Sequence, residues 1–250
     1  MQLTVLGCYG PYPAAGKACS GYLLQEDGCS LLLDCGNGVF SRLQEHFPFY
    51  QLAAVFLSHL HADHISDIFV MRYGLEMAYK KGLRSEPLLL YAPVEPVAEF
   101  SRLSYKNAYR VEPLAERGEL TVGPFKIYTA PGIHAVSSLA MRVECSKKKF
   151  AYSADTEYYP DLVDLARGVN FFLCEANYRE EDIRAGLSNH LSAAQAAGIA
   201  REAGVDRLVL THHHPERDPE GAVREAEKIF PKVEAAREGE TYIIQEGTNQ

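Results

Sequence analysis

The stretch 58–67, SHLHADHISD, places His59, His61, Asp63, His64 and Asp67 within ten residues. A chain with nine histidines among 250 residues has no packing reason to gather three of them in six positions. Imidazole with one or two carboxylates is a ligand set that Zn²⁺ favours. His59 and His61 lie two apart just beyond the apolar run AAVFLS. An extended backbone turns residues i and i+2 to the same side, so both rings can converge on one point. Asp63 and His64 follow as the chain turns into a helix, which aims them at a neighbouring point. Asp63 stands where a helix N-cap belongs. Asp67 lies one turn further on and reads as part of a solvated helix face.

One ion needs three or four ligands, and further candidates stand just past other apolar runs. His134 lies in APGIHA after FKIYTA, Asp155 closes FAYSAD, and His212, His213 and His214 close RLVLTHHHP. Loops at strand ends present chemistry from a rigid scaffold. With the first cluster these residues make an inventory for two ions. Alternation puts His212 and His214 on the same side of an extended chain, so spacing does not choose between them.

The surrounding pattern describes the scaffold. LTVLG, GYLLQ, SLLLDCG and LAAVFLS are strand-length apolar runs ending at turn residues. Residues 63–82 carry Ile65, Ile68, Phe69, Leu75 and Tyr79 at helical spacing, interrupted at Arg72 and Gly74 and closed by Lys-Lys-Gly. A strand and a proline-opened helix follow, then the strands LTVG, FKIYTA, SLAMRVECS and KKFAYSAD. The last third alternates helix and strand: YPDLVDLARG, VNFFLCEA, LSAAQAAGIAREAG, DRLVLTH and PEGAVREAEKIF. Mixed elements without a linker or low-complexity segment predict one layered α/β domain over 1–250.

Charge and cysteines narrow the partners. Lys and Arg number 25 against 33 Asp and Glu, a formal charge of −8 whose field repels a long polyanion. A large nucleic acid is therefore not the expected substrate, whereas a small anion held by metal is unaffected. Cysteines 8, 19, 29, 35, 145 and 174 form no CxxC pair and several sit in apolar runs, as free thiols in a reducing cytoplasm do. No run approaches the ~18 apolar residues of a membrane span, and MQLTVLG reads as a strand rather than a signal. The expected location is the cytoplasm. The oligomeric state stays open, a homodimer included.

SHLHADH, a single later His, SADT and LTH, in that order, resemble the metallo-β-lactamase superfamily with its HxHxDH motif. LLLDCGNG resembles the Asp-Cys-Gly-x-Gly turn of its ribonuclease Z-like and phosphodiesterase-like branch. NHLSAAQAAGIAREAGVDRLVLTH is similar to that branch's His-Ser-Thr region and final ligand strand, with Leu-Ser after the His where Ser-Thr is usual. The resemblance implies a four-layer αββα sandwich with metals at the sheet edge. Carried over by position, His59, His61 and His134 hold one zinc, Asp63, His64 and His212 hold a second, and Asp155 bridges them. Manganese or iron is the alternative metal. The position after Leu-Thr selects His212, leaving His213 and His214 beside the site or on the surface. Asp34, closing SLLLD, either hydrogen-bonds the metal-binding loop to orient a histidine or caps the turn at Gly36 and Gly38.

Two such ions would bring the pKa of a shared water down towards about 7, and Asp63 would help take its proton. That chemistry suits phosphodiesters, esters, thioesters, lactones and β-lactams alike. His190 in SNHLS matches the branch's extra histidine near the leaving group, and Glu175 in LCEANY the acid that orients it. The other reading of His190 is a cap for the helix LSAAQAAG, assisted by Ser188 or Asn189. An alkoxide is a poor leaving group and needs a proton, so a general-acid histidine favours phosphodiester cleavage. Ribonuclease Z carries a long arm between its third-motif His and the bridging Asp; here His134 and Asp155 are 21 residues apart, room for a hairpin. The expected activity is that of a phosphodiesterase for small substrates such as cyclic nucleotides. A ribonuclease Z-like RNA endonuclease and a thioester or lactone hydrolase are the alternatives. Tyr9, Tyr158, Tyr159 and Tyr178 lie near motif loops and are candidates to stack on a base.

Overall fold

The apolar runs become strands whose side chains are buried on both faces, and double burial dictates a layered molecule. The computed structural model describes residues 1–247. Its first half runs β1 (Gln2–Gly7), β2 (Gly21–Glu26), β3 (Cys29–Leu33), α1 (Val39–His46), β4 (Ala54–Phe56), α2 (Ala62–Ile65), α3 (Ile68–Lys80), β5 (Leu88–Ala92), α4 (Val97–Leu103) and β6 (Tyr109–Pro113). The second half runs β7 (Gly118–Val122), β8 (Phe125–Pro131), β9 (Leu139–Cys145), β10 (Lys148–Tyr152), α5 (Pro160–Ala166), β11 (Phe171–Glu175) and α6 (Glu180–Arg184). It continues with α7 (Ala193–Ala203), β12 (Leu208–Thr211), α8 (Pro219–Ala226), β13 (Val233–Ala235) and β14 (Thr241–Ile243).

The strands form two seven-stranded sheets, β14-β1-β2-β3-β4-β5-β6 and β13-β12-β11-β10-β9-β8-β7. Each sheet begins with antiparallel pairs and ends with parallel ones: β3 to β6 in the first, β10 to β13 in the second. The two halves of the chain are thus similar units. β14 crosses back to pair with β1 at the edge of the first sheet.

Period-two alternation assigns each side chain to a layer. Leu31 and Leu33 of β3 join the core between the sheets with Phe150 and Tyr152 of β10, and with Phe171 and Leu173 of β11. Leu32 turns outward to a second core under α1 and α3. Ala151, Phe172 and Cys174 turn outward to a third core under α5, α7 and α8. The result is the αββα sandwich that the sequence implied. On α7 the inner face is almost all alanine, from Ala193 to Ala203, which lets the helix sit close to its sheet. Ser192 caps α7 with Gln195 completing a capping box, and Gly204 ends it at φ 64°.

Several expectations change. Residues 63–82 form two helices, and His61 rather than Asp63 is the N-cap residue of α2. Asp67 is half-buried and accepts a 2.9 Å hydrogen bond from the Phe40 amide, so it is not part of a solvated face. Gly74 is no flaw in α3: a Cβ there would stand 3.0 Å from the rings of Phe40 and Phe49, so glycine permits their close approach. All six cysteines are free, five of them buried. Among the described residues no helix is long and apolar enough to cross a membrane.

Two tyrosines tie the sheets together. Tyr152 of β10 donates to Asp34 Oδ2 at 2.7 Å, and Tyr22 Oη of β2 lies 2.6 Å from Thr211 Oγ1 of β12. The first bond ends on a carboxylate and the second on a neutral hydroxyl. Tyr152→Phe should therefore cost about 1.5–3 kcal/mol and Tyr22→Phe about 1 kcal/mol. Denaturant unfolding of the metal-free variants checks the order; equal losses would show that Asp34 contributes no more than a neutral acceptor.

Candidate metal centre

The residues singled out in the sequence converge at the carboxyl ends of the parallel strands, where loops from both sheets meet. Beyond β4 the chain bends at Ser58, reaches His61 in an extended conformation (φ −70°, ψ 150°) and then enters α2. His59 and His61 thereby face one point. His134 reaches the same point from the loop after β8, its Nδ1 donating to the Asn189 carbonyl at 2.8 Å. Both His59 Nε2 and His134 Nε2 stand 3.1 Å from His61 Nδ1.

The helical turn aims Asp63 and His64 at a second point, met by Asp155 after β10 and His212 after β12. His212 Nε2 lies 3.1 Å from Asp63 Oδ2 and 3.2 Å from Asp155 Oδ2. His64 Nε2 lies 3.4 Å from Asp155 Oδ2 and 3.6 Å from Asp63 Oδ2. Asp155 Oδ2 also stands 3.7 Å from His59 Nε2, between the two groups.

These donors suit divalent ions. Ligands about 2.0–2.1 Å from a tetrahedral zinc stand about 3.3 Å apart, close to the separations within each group. His64 Nε2 and Asp155 Oδ1 are buried without any hydrogen-bond partner, although burial of such groups is costly unless something satisfies them. The opposite ring nitrogens are occupied. His64 Nδ1 donates to Asp34 Oδ2 at 2.8 Å. Ser58 Oγ donates to the same oxygen at 2.8 Å and lies 3.1 Å from His59 Nδ1. Those bonds turn the Nε2 atoms of His59, His64 and His134 to the two points.

The electrostatics of the metal-free protein express the same crowding. Burial pulls His59 well below the ordinary imidazole range, and pulls His61 and His134 below it. Burial also pulls on His64, but Asp155, Asp63 and Asp34 outweigh it and hold that imidazole well above the range. Burial pushes the Asp63 and Asp155 carboxyls up; the facing histidines prevail and hold both below the usual carboxylate range, Asp155 far below.

His190 stands over both groups, its ring 5.2 Å from those of His134 and His212. Its Nδ1 lies 3.0 Å from Oε1 of buried Glu175. Burial pulls His190 down, but Glu175 outweighs it and the imidazole is raised to about 9. Ser192 caps α7, so His190 is not that helix's cap. His213 packs under Tyr9 and reaches the Ala236 carbonyl, away from the centre. His214 is half-buried at the molecule's periphery. Of the four tyrosines considered for stacking, Tyr159 is buried in the core under α5, Tyr9 packs on His213 and Tyr178 on His190. Tyr158 remains exposed.

Three contributors have no motif of their own. Asn177 Nδ2 donates to the carbonyls of Gly10 (2.8 Å) and His212 (3.0 Å), holding the His212 segment. A Cβ at Gly10 would fall 1.8 Å from His212 Nε2, so only glycine leaves room for that ring. Ser58 lies within the motif stretch, yet nothing in the spacing marks it as the link between His59 and Asp34.

A family model described as the β-lactamase superfamily domain matches residues 30–213. The chain belongs to that superfamily. It is 36% identical over 214 residues to the probable metallo-hydrolase YhfI of Bacillus subtilis, covering 85% of this chain and 86% of that protein. The crystal structure of YhfI, a metallo-β-lactamase fold protein, superposes with a TM-score of 0.92 at 33% identity, covering 96% of this chain and 98% of YhfI. Ribonuclease Z of Methanopyrus kandleri is 28% identical over 281 residues, covering 96% of each. This member of the β-lactamase superfamily is thus a metallo-hydrolase, and its His/Asp clusters can hold divalent metal.

Metal loading should release protons. With His64 held well above its ordinary range by Asp155, Asp63 and Asp34, its Nε2 holds a proton more tightly than a free imidazole does, and a metal must displace that proton. Affinity therefore rises with pH up to the folded pKa of His64. Calorimetric titration with zinc chloride in Hepes and in Pipes should give different observed enthalpies. Identical enthalpies would mean that His64 is already neutral.

Proposed function

We propose that the chain is a dinuclear zinc phosphodiesterase for small substrates, cyclic nucleotides among them. The observation that carries this reading is His190, held by buried Glu175 above both ligand groups. His59, His61 and His134 would hold one ion, Asp63, His64 and His212 the other, with Asp155 between them. Such ions supply Lewis acidity and lower the pKa of a water nucleophile.

The chain's own groups do the remaining work. Asp63 Oδ2 faces the centre and accepts a proton there. Glu175 fixes the His190 ring through Nδ1, which leaves Nε2 to hand its proton to a departing alkoxide. The raised basicity of His190 keeps it protonated at neutral pH. A thioester, with its better leaving thiolate, has less use for such a donor. The name ribonuclease Z on one relative supports phosphodiester chemistry. Only the hairpin of β9 and β10 separates His134 from Asp155, which supports a small substrate over a folded RNA.

Two ions per chain should be found by elemental analysis of the loaded protein, and Asp155→Ala should weaken both sites; a single ion at saturation would overturn the dinuclear arrangement. His190→Ala should keep both ions and lose about 10²–10⁴-fold in activity on a cyclic nucleotide. A p-nitrophenyl diester should suffer much less, because p-nitrophenolate departs without a proton. Glu175→Ala should show the same selectivity more weakly. Equal losses on both substrates would remove His190 from the mechanism. Efficient cleavage of precursor transfer RNA at the 3′ end of its folded body would overturn the small substrate.

A further inference from the structure

Beside the centre lies a cavity of about 430 Å³ between α2, the start of α3 and α4, within the ~300–1,000 Å³ typical of small-molecule sites. His61 is the wall that the cavity shares with the first histidine group. Ile65, Phe69, Pro96 and Val136 make the rest of the lining mostly carbon. Three polar residues interrupt it. Ser66 Oγ is buried from that space and makes no hydrogen bond among the described residues. Glu99 and Arg102 pair with each other at 2.6 Å, and the Arg102 guanidinium lies 5.0 Å from the centroid of Phe69.

We propose that this cavity receives the nucleobase of the substrate. The inference rests on the phosphodiesterase reading and adds its specificity site. A base has apolar faces and a polar rim, and the cavity has the same division. Carbon walls and the Phe69 ring meet the faces; the Glu99–Arg102 pair offers donors and an acceptor to the rim. Continuity through His61 puts the base next to a phosphate held at the metal group. The tyrosines near the motif loops are mostly committed elsewhere, Tyr159 to a core and Tyr9 and Tyr178 to histidine rings.

Calorimetric titration of the metal-loaded protein with AMP and with ribose 5-phosphate tests the cavity without requiring turnover. Both carry a phosphate monoester, and only AMP carries a base. AMP should bind about tenfold more tightly or better, as stacking of a base on an aromatic side chain provides. Phe69→Ala should remove most of that preference, and exposed Arg102→Gln part of it, with ribose 5-phosphate binding unchanged in both. Metal content and circular dichroism report whether Phe69→Ala is folded; Arg102→Gln, on the rim, keeps the test open if it is not. Equal binding of the two ligands by the wild type would overturn the proposal, as would a preference that neither folded variant reduces. A preference for AMP in a protein that hydrolyses no phosphodiester would retain the base site and refute the activity. Hydrolysis of a cyclic nucleotide with equal binding of the two probes would do the reverse.

Discussion

The buried carboxylate of Asp34 is the constraint on which the rest of the centre depends. Its Oδ1 accepts from the Ser58 amide at 2.7 Å. Its Oδ2 accepts from Ser58 Oγ, His64 Nδ1 and Tyr152 Oη, at 2.8, 2.8 and 2.7 Å. One side chain thus ties the first sheet to the second and fixes His64 directly. Through Ser58 it also reaches His59, so a member of each metal group takes its tautomer from the same acid. An amide at this position would present donors where donors already point. Among the two readings of Asp34 that the sequence allowed, the hydrogen bond to a site histidine is the one observed.

What could be read in the sequence is what local spacing encodes. His59, His61, Asp63 and His64 lie within six residues, so a strand end followed by one helical turn settles their directions. The layered α/β class was legible because strand-length apolar runs alternate with helices; the core each residue of β3, β10 and β11 enters was not, because those runs are apolar on both faces. Partners far apart in the chain were not legible. Tyr152 is 118 residues from Asp34, and β14 pairs with a strand at the opposite end of the sequence. β6 and β14 are short and half-exposed, so their strand state comes from the sheet edge they complete rather than from their own pattern. The solvated reading of Asp67 failed for the same reason: its partner, the Phe40 amide, belongs to a helix the sequence did not announce.

Alternation also failed where the backbone leaves the strand. His212 has φ 54°, so His212 and His214 do not share a side as an extended chain would require. Asp34 (φ 57°), Ala154 (φ 53°) and Asn189 (φ 77°) adopt the same left-handed conformation. Four of the seven such non-glycine residues described therefore stand at the centre, next to or within its motifs. Each costs on the order of 1 kcal/mol or more and persists because the surroundings over-determine it. For His212 those surroundings are Asn177 and the bare backbone of Gly10.

The two metal groups differ in charge, and in the proposed reading that difference orders the substrate. One is built from three imidazoles; the other includes Asp63 and Asp155. In that reading a dication held by three rings and the shared Asp155 keeps more of its charge than one held by Asp63 as well, so a phosphate is drawn towards the histidine group. That group has two neighbours. His61 is the wall of the apolar cavity, whereas the ring of His134 lies 5.2 Å from that of His190. A phosphate anchored there can extend its base past one histidine while its leaving oxygen lies under the proton donor beside the other. In that reading the histidine group serves orientation and the carboxylate group serves charge.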